Sequence, residues 1–329
     1  MSLTFNCSRP QEAPECSFYY WRTKYHLGET EREFLDALRV EKLFVRFFDV
    51  GIDSKSGLPA PITPLIVPCK DSCFTITPVV FIKNSVFENT SNWIDDSLAL
   101  KTVTLVNSIS SRFLNKSGEL QIDCDWTEKT KNRYFQFLTK LSLYTADTIS
   151  VTSTVRLHQI KYSAVTGIPP VKQVSVMLYN MNSPAMDTTC SIYDHGTALR
   201  YIPWLKKYPL KMDLALPIFS WGIQSRKQDI VSLLSKYSLR DAMSDPGLTP
   251  IGKSLFQVNK SHFYQGYFFK KDDVIKVEET DHRHCTDVMR ACKKIRSLRK
   301  STIIFYDLDS LNFQRTSIDA LSNLRNQLL

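Results

Sequence analysis

The sequence predicts an α/β fold, a (β/α)8 TIM barrel with a small β-containing insertion between its seventh and eighth strands, and three observations carry that prediction. Short β-branched and aromatic runs alternate with amphipathic helical patterns, the order that parallel strands joined by crossover helices require. Eight such runs can be placed, each opening into a polar loop. The 329 residues, 43% hydrophobic and 12% aromatic, suffice to bury one large core, and barrels of this kind commonly fill such a length as one domain.

The expected strands occupy 17–21, 42–50, 75–83, 119–125, 148–157, 173–180, 214–221 and 302–307. Thr30 and Glu33 have capping-box spacing ahead of Phe34, Leu35 and Leu38, which starts the first helix. After the fourth strand, Tyr134, Phe137, Leu138 and Leu141 recur at spacings of three and four, so one face docks on the barrel. Ile318, Leu321 and Leu324 repeat the pattern from about Ser317 and close the ring. Residues 224–281 are too many for one loop, and the strand-like runs 263–269 and 274–277 read as a hairpin-bearing insertion over the C-terminal face. The plan is a flexible tether at 1–15 followed by a barrel over 16–329 that contains the insertion.

The formal charge of +9 is spread along the chain with no arginine-rich arm to concentrate it, so no nucleic-acid partner is expected. The basic run Lys293, Arg296, Arg299 and Lys300 is broken by Ile295 and Leu298 and reads as the wet face of a helix. No run reaches the roughly eighteen apolar residues of a membrane span. Eight cysteines without a CxxC pair do not form a disulfide scaffold, although Cys69 and Cys73 are spaced for a short bridge and Cys124 reads as a small buried residue. Asp281, His282, His284, Cys285 and Cys292 are of metal-ligand type, but at a helix start they point to different sides, so neither a metal nor another cofactor is expected. The polar start, Met1 to Pro14, resembles a tether behind an export signal, and Cys7 before Ser8 is a candidate lipid anchor if translation begins further upstream. The expectation is export to the envelope or periplasm, with a cytoplasmic location left open.

The fourth strand carries the chemistry. In Gln121, Ile122, Asp123, Cys124 and Asp125 polar and apolar residues alternate, so the two carboxylates share the inner face, with α-carbons about 6.6 Å apart. Two like charges so close in a barrel interior call for a shared proton or a neighbouring cation. Arg156 and Arg46, the latter inside the apolar run LFVRFF, are the candidates, while the plain structural alternative is that the acids only accept hydrogen bonds or ion pairs.

QIDCDWTE resembles the fourth-strand DxxDxDxE motif of the family 18 glycoside hydrolases, the chitinase-like barrels, with Asp123 and Asp125 at its second and third acidic positions. Met177, Leu178, Tyr179 and Asn180 resemble the sixth-strand MxYD of that family, and Phe305, Tyr306, Asp307 and Asp309 its eighth-strand aromatic and acids. Over most of its length the chain is also similar to a bacterial family of glycosidase-like barrels that lack the usual catalytic Glu. The resemblance implies catalytic roles for Asp123, Asp125 and Tyr179. Two departures weaken that implication: Leu120 stands at the first Asp of the motif and Thr127 at its final Glu, and a threonine cannot act as a general acid near neutral pH. Glu128, one residue on, turns to the other face.

Trp21, Trp126, Tyr179, Trp221 and Tyr306 at predicted strand ends are candidate platforms for sugar rings, while Trp93 and Trp204 sit in helical patterns and read as core. Arg46, Asp49, Arg156, Asn180 and Asp307 complete the expected binding set, with Asp49 or Asp307 as a candidate second acid. His158 reads as a hydrogen-bonded histidine, and Asp194 and His195 lie in a loop. The expected function is a carbohydrate-active barrel, a glycoside hydrolase working through the strand-four carboxylates, or alternatively a sugar-binding barrel that has lost catalysis.

Overall fold

Eight runs of alternating polarity become eight parallel strands in a closed ring, and the computed structural model describes residues 14–70, 72–88, 94–280, 282–295, 298 and 301–328. The Cys7 anchor, Trp93, Asp281, Arg296, Arg299 and Lys300 lie outside the described residues. The chain forms β1 (Cys16–Tyr20), β2 (Lys42–Ile52), β3 (Pro59–Ile62), β4 (Thr75–Ile82), β5 (Glu119–Asp123), β6 (Ser150–Arg156), β7 (Gln173–Met177) and β8 (Lys211–Pro217). The insertion follows, with β9 (Ser220–Arg226), β10 (Asp229–Ser235), β11 (Leu248–Pro250), β12 (Leu255–Val258), β13 (His262–Tyr264), β14 (Tyr267–Phe269) and β15 (Val274–Glu279), before β16 (Ile303–Tyr306). The ring runs β1, β2, β4, β5, β6, β7, β8, β16 and back to β1, with β3 antiparallel on β2 outside it.

The helices are α1 (Glu29–Ala37), α2 (Ile94–Ser110), α3 (Lys131–Tyr144), α4 (Leu157–Lys161), α5 (Ser163–Thr166), α6 (His195–Lys207), α7 (Leu239–Ser244), α8 (His282–Cys292), α9 (Ser310–Phe313) and α10 (Ile318–Asn326). The periodic apolar residues of α3, Tyr134, Phe137, Leu138 and Leu141, are all buried. Ser317 caps α10 by accepting the Ala320 N–H at 3.1 Å. Helix α1 starts earlier than the Thr30–Glu33 spacing suggested, because Gly28 is its N-cap and Glu31 reaches back to the Gly28 N–H at 2.8 Å. Between β2 and β4 the described chain forms β3 and a loop instead of a helix, and Leu65 and Val67 bury themselves on the barrel there.

Several strands end sooner than alternation predicted. Leu157 belongs to α4, because the Gln159 side chain accepts the Arg156 N–H at 2.7 Å and turns the chain into a helix. The seventh ring strand stops at Pro217, and Ser220 and Trp221 open β9 of the insertion. That insertion is larger than a hairpin, a five-stranded antiparallel sheet plus the β13–β14 pair, around its own core of Leu234, Tyr237, Phe256, Phe269 and Ile275. Cys69 and Cys73 are exposed and form no disulfide among the described residues, Cys124 is buried, and Trp204 is 38% exposed rather than core.

Inside the ring the side chains are polar and bonded to one another. The Tyr19 hydroxyl donates to Gln121 at 2.7 Å, and Gln121 donates to Ser175 at 2.8 Å, which spans the barrel from β1 through β5 to β7. Below, Thr152 donates to Glu119 at 2.8 Å and Gln173 to Asp213 at 2.6 Å. Just outside the ring Trp126 is 1% exposed, its ring 5.2 Å from that of Tyr134 and its indole N–H donating to the Thr166 carbonyl at 2.9 Å. Trp126→Ala is expected to lower unfolding free energy by about 3–5 kcal/mol, the range for deleting a large buried aromatic, read as a lower urea midpoint.

Candidate functional site

The C-terminal ends of the ring strands bring the carboxylates of the fourth ring strand, β5, beside the fifth, β6. The parallel register aligns Ile122 with Ser153, so one residue on Asp123 faces Thr154, and three on Asp125 faces Arg156. Both contacts form. Thr154 donates to Asp123 at 2.7 Å, and Arg156 grips Asp125 with two bonds, of 2.5 and 2.8 Å. Burial, then the adjacent Asp125, pushes the Asp123 carboxyl up to about 7, with Thr154 and Arg156 only partly opposing. The pair is therefore split into one neutral acid below and one ion-paired carboxylate above.

Arg46 does not join them. A bulge in β2 between Arg46 and Phe48 turns Arg46 and Asp49 to one side, where they pair at 2.6 Å. The guanidinium also donates to the Thr63 and Ile62 carbonyls at 3.1 and 3.4 Å, so its charge is used by β2 and the chain after β3. The negative charge of Asp49 still adds to the upward shift of Asp123.

On the opposite side of the mouth the aromatic residues gather around Tyr306. Its ring stacks on Tyr179 at 5.1 Å and meets Trp21 and Phe219 at 5.6 Å, and Phe219 in turn meets Trp221 at 5.6 Å. A cleft of about 340 Å³ lies between these rings and the insertion, lined by Trp21, Asn180, Trp221, Tyr306 and Asp307 from the expected set. Sequence reading missed Phe219, Ser220 and Lys236, which also line it. Ser220 is buried with its hydroxyl unpartnered, and the Asn180 side-chain oxygen is likewise shielded from solvent without a hydrogen bond, so two polar atoms beside the cleft keep unused hydrogen-bonding capacity.

The insertion fixes this wall. Glu278 accepts the Trp221 indole N–H and the Ser191 N–H, both at 2.9 Å, and pairs with Lys276 at 2.7 Å. Lys236 reaches Asp307 at 3.3 Å and bonds Asp309, while Asn312 donates to Asp307 at 2.7 Å. Burial raises the Asp307 carboxyl, and Lys236 partly offsets the rise. Arg22 bonds Glu31 and lies 3.3 Å from Asp309, extending the charge network to α1.

Asp123, Asp125, Arg46, Asp49 and Arg156 do not line the cleft, and the expected platform Trp126 is enclosed in the packing described above. Thr127 is exposed in the turn before α3, where its N–H donates to the Thr130 hydroxyl at 2.9 Å. Burial lowers the pKa of His158, on α4. Asp194 caps α6 through the Thr197 N–H at 2.6 Å. Among the described residues no cluster of His, Cys, Asp and Glu could hold a metal. No helix of the described chain is long and apolar enough to cross a membrane.

No protein-family model and no curated protein matches the chain. Solved structures do. A chitinase from Bacteroides thetaiotaomicron superposes with a TM-score of 0.53 at 12% identity, covering 97% of each chain. The spore cortex-lytic enzyme SleL of Bacillus cereus superposes with a TM-score of 0.51 at 12% identity, covering 97% of this chain and 75% of that one. The fold is that of the chitinase-like glycoside hydrolase barrels. At this identity the likeness is one of fold, and what the mouth of this chitinase-like barrel does must be argued from its own residues.

The split pair gives a pH signature. Between the ordinary carboxylate range and about 7, Asp123 has ionised in the unfolded chain but keeps its proton in the folded one, so stability falls as pH rises through that window. Asp123→Asn removes this term. Relative to the variant, the wild type is expected to lose stability between about pH 4 and about pH 7, compared by urea midpoints at each pH; a constant difference would contradict a protonated Asp123.

Proposed function

We propose that this barrel binds a carbohydrate in the aromatic cleft between β1, β16 and the insertion, without the acid–base chemistry of family 18. One observation carries the reading: the cleft walls are Trp21, Phe219, Trp221 and Tyr306, interspersed with unpartnered polar atoms of Asn180 and Ser220. Aromatic faces take the apolar C–H side of a pyranose, and polar lining residues such as Asn180, Ser235 and Asp307 take its hydroxyls. The volume suits one or two rings. Against catalysis stand Thr127 in place of a glutamate and the commitment of Asp125 to Arg156.

A second reading, a hydrolase that uses Asp123 as proton donor, is favoured by one fact, the value of about 7, which suits a general acid at neutral pH. Asp123 is not on the cleft wall, so the binding reading is the stronger. Glycan-array binding followed by titration with the best oligosaccharide is expected to give saturable binding, weakened about tenfold or more by Trp221→Ala, with no new reducing ends on prolonged incubation. Release of reducing ends by the wild type, abolished by Asp123→Asn, would establish the hydrolase instead. Absence of binding to any glycan would remove both readings.

A further inference from the structure

A second hollow, of about 570 Å³, adjoins the cleft, because Ser235 and Lys236 line both. It lies along the seam between the insertion and the chain after β16, and its other charged lining residues are Arg240, Asp241 and Arg315. The charges there are unequally used. Lys236 is held by Asp307 and Asp309. The Asp241 carboxylate is taken up by the Ser238 N–H at 2.8 Å, the Ser238 hydroxyl at 2.5 Å and the Gln265 amide at 2.8 Å.

The two arginines are left over. The half-buried Arg315 donates to two neutral acceptors, the Asn312 side-chain oxygen at 2.8 Å and the Ile218 carbonyl at 3.3 Å, and among the described residues it makes no ion pair. Burial lowers its pKa, and the nearby carboxylates of Glu279, Asp241 and Asp307 partly offset that without any of them bonding it. Arg240 is exposed and likewise makes no ion pair among the described residues. Desolvating a guanidinium without an anion is unfavourable, and Arg is the side chain best shaped to hold a carboxylate, sulfate or phosphate.

We infer that the ligand of the cleft is an acidic glycan, whose sugar ring packs on the aromatic wall while its anionic group extends past Lys236 into the hollow and meets Arg240 and Arg315. The inference rests on the reading of the cleft as a sugar site. It adds a charge to the ligand class.

The test is titration of the whole chain, by calorimetry or by tryptophan fluorescence from the cleft, with three oligosaccharides of matched length: neutral, uronic-acid-containing and sulfated. At least one acidic sugar is expected to bind roughly tenfold or more tighter than the neutral one, the scale of a hydrogen bond to a charged group, and the advantage should shrink as salt is raised. Which acidic sugar is preferred identifies the anion. Arg315→Gln and Arg240→Gln should each reduce that advantage and leave neutral-sugar binding intact; Arg240 is exposed, so its variant stays informative if Arg315→Gln fails to fold. Equal binding of neutral and acidic sugars would overturn the inference and leave the cleft reading standing. Equal weakening of both by Arg240→Gln would also overturn it, and binding of no sugar would overturn the cleft reading itself.

Discussion

An eight-stranded ring encloses a space that only its own side chains can fill, and every polar atom placed there must find a partner within the ring. This chain meets the constraint with hydrogen-bonded rungs in place of a purely aliphatic filling. The rung from Tyr19 through Gln121 to Ser175 ties three strands that are far apart in sequence. The next layer up is where Asp123 sits, over a floor already satisfied, with Thr154 as its hydrogen-bond donor. Its proton follows from that position. A carboxyl enclosed on all sides, with Asp125 above it, is favoured neutral, and the ion pair of Asp125 with Arg156 closes the layer over it.

The same geometry explains why a motif so close to that of family 18 leads to a different site. In an extended strand the inward positions are two residues apart, so an acid at the position of Thr127 would stand above Asp125 only if the strand continued. Here β5 ends at Asp123, and Thr127 is in the turn before α3, held by Thr130. The acids that remain are spent within the barrel, one on a neutral hydrogen bond and one on an arginine. The mouth opens to solvent at Asp125, whose side chain is 45% exposed beside Arg156, and at the partly buried rings of Trp21, Trp221 and Tyr306.

The ring and its outer helices were legible because their signals are local. Alternation in β5 and the three-and-four spacing of Tyr134, Phe137, Leu138 and Leu141 each report a face directly. The pairing of Asp125 with Arg156 was also legible, since strand ends of neighbouring ring strands meet. Trp126 was misread because a residue beyond a strand end can turn inward or outward, and the outcome was decided by packing on Tyr134 and by a hydrogen bond to Thr166, forty residues away in sequence. Arg46 was misassigned because the β2 bulge that turns it to Asp49 carries no residue signature. Lys236 had no signal at all: it lies between β10 and α7 of the insertion, and its partners Asp307 and Asp309 come some seventy residues later.

Lys236 also ties the insertion to the barrel at the cleft. Glu278 holds the Trp221 indole, Lys276 donates to the Ala185 carbonyl at 2.8 Å and bonds Thr189, and Lys236 spans Asp307 and Asp309. Glu278 and Lys276 are nearly buried, and removing one member of a buried, bonded pair typically costs about 3–5 kcal/mol. Such contacts are expensive to break, so the wall carrying Trp221 is held at a fixed separation from Tyr306 and Trp21. A cleft set in advance spends little of its binding energy on ordering its own rings. The barrel supplies the floor and the insertion supplies the wall, and the cleft is formed where the two meet.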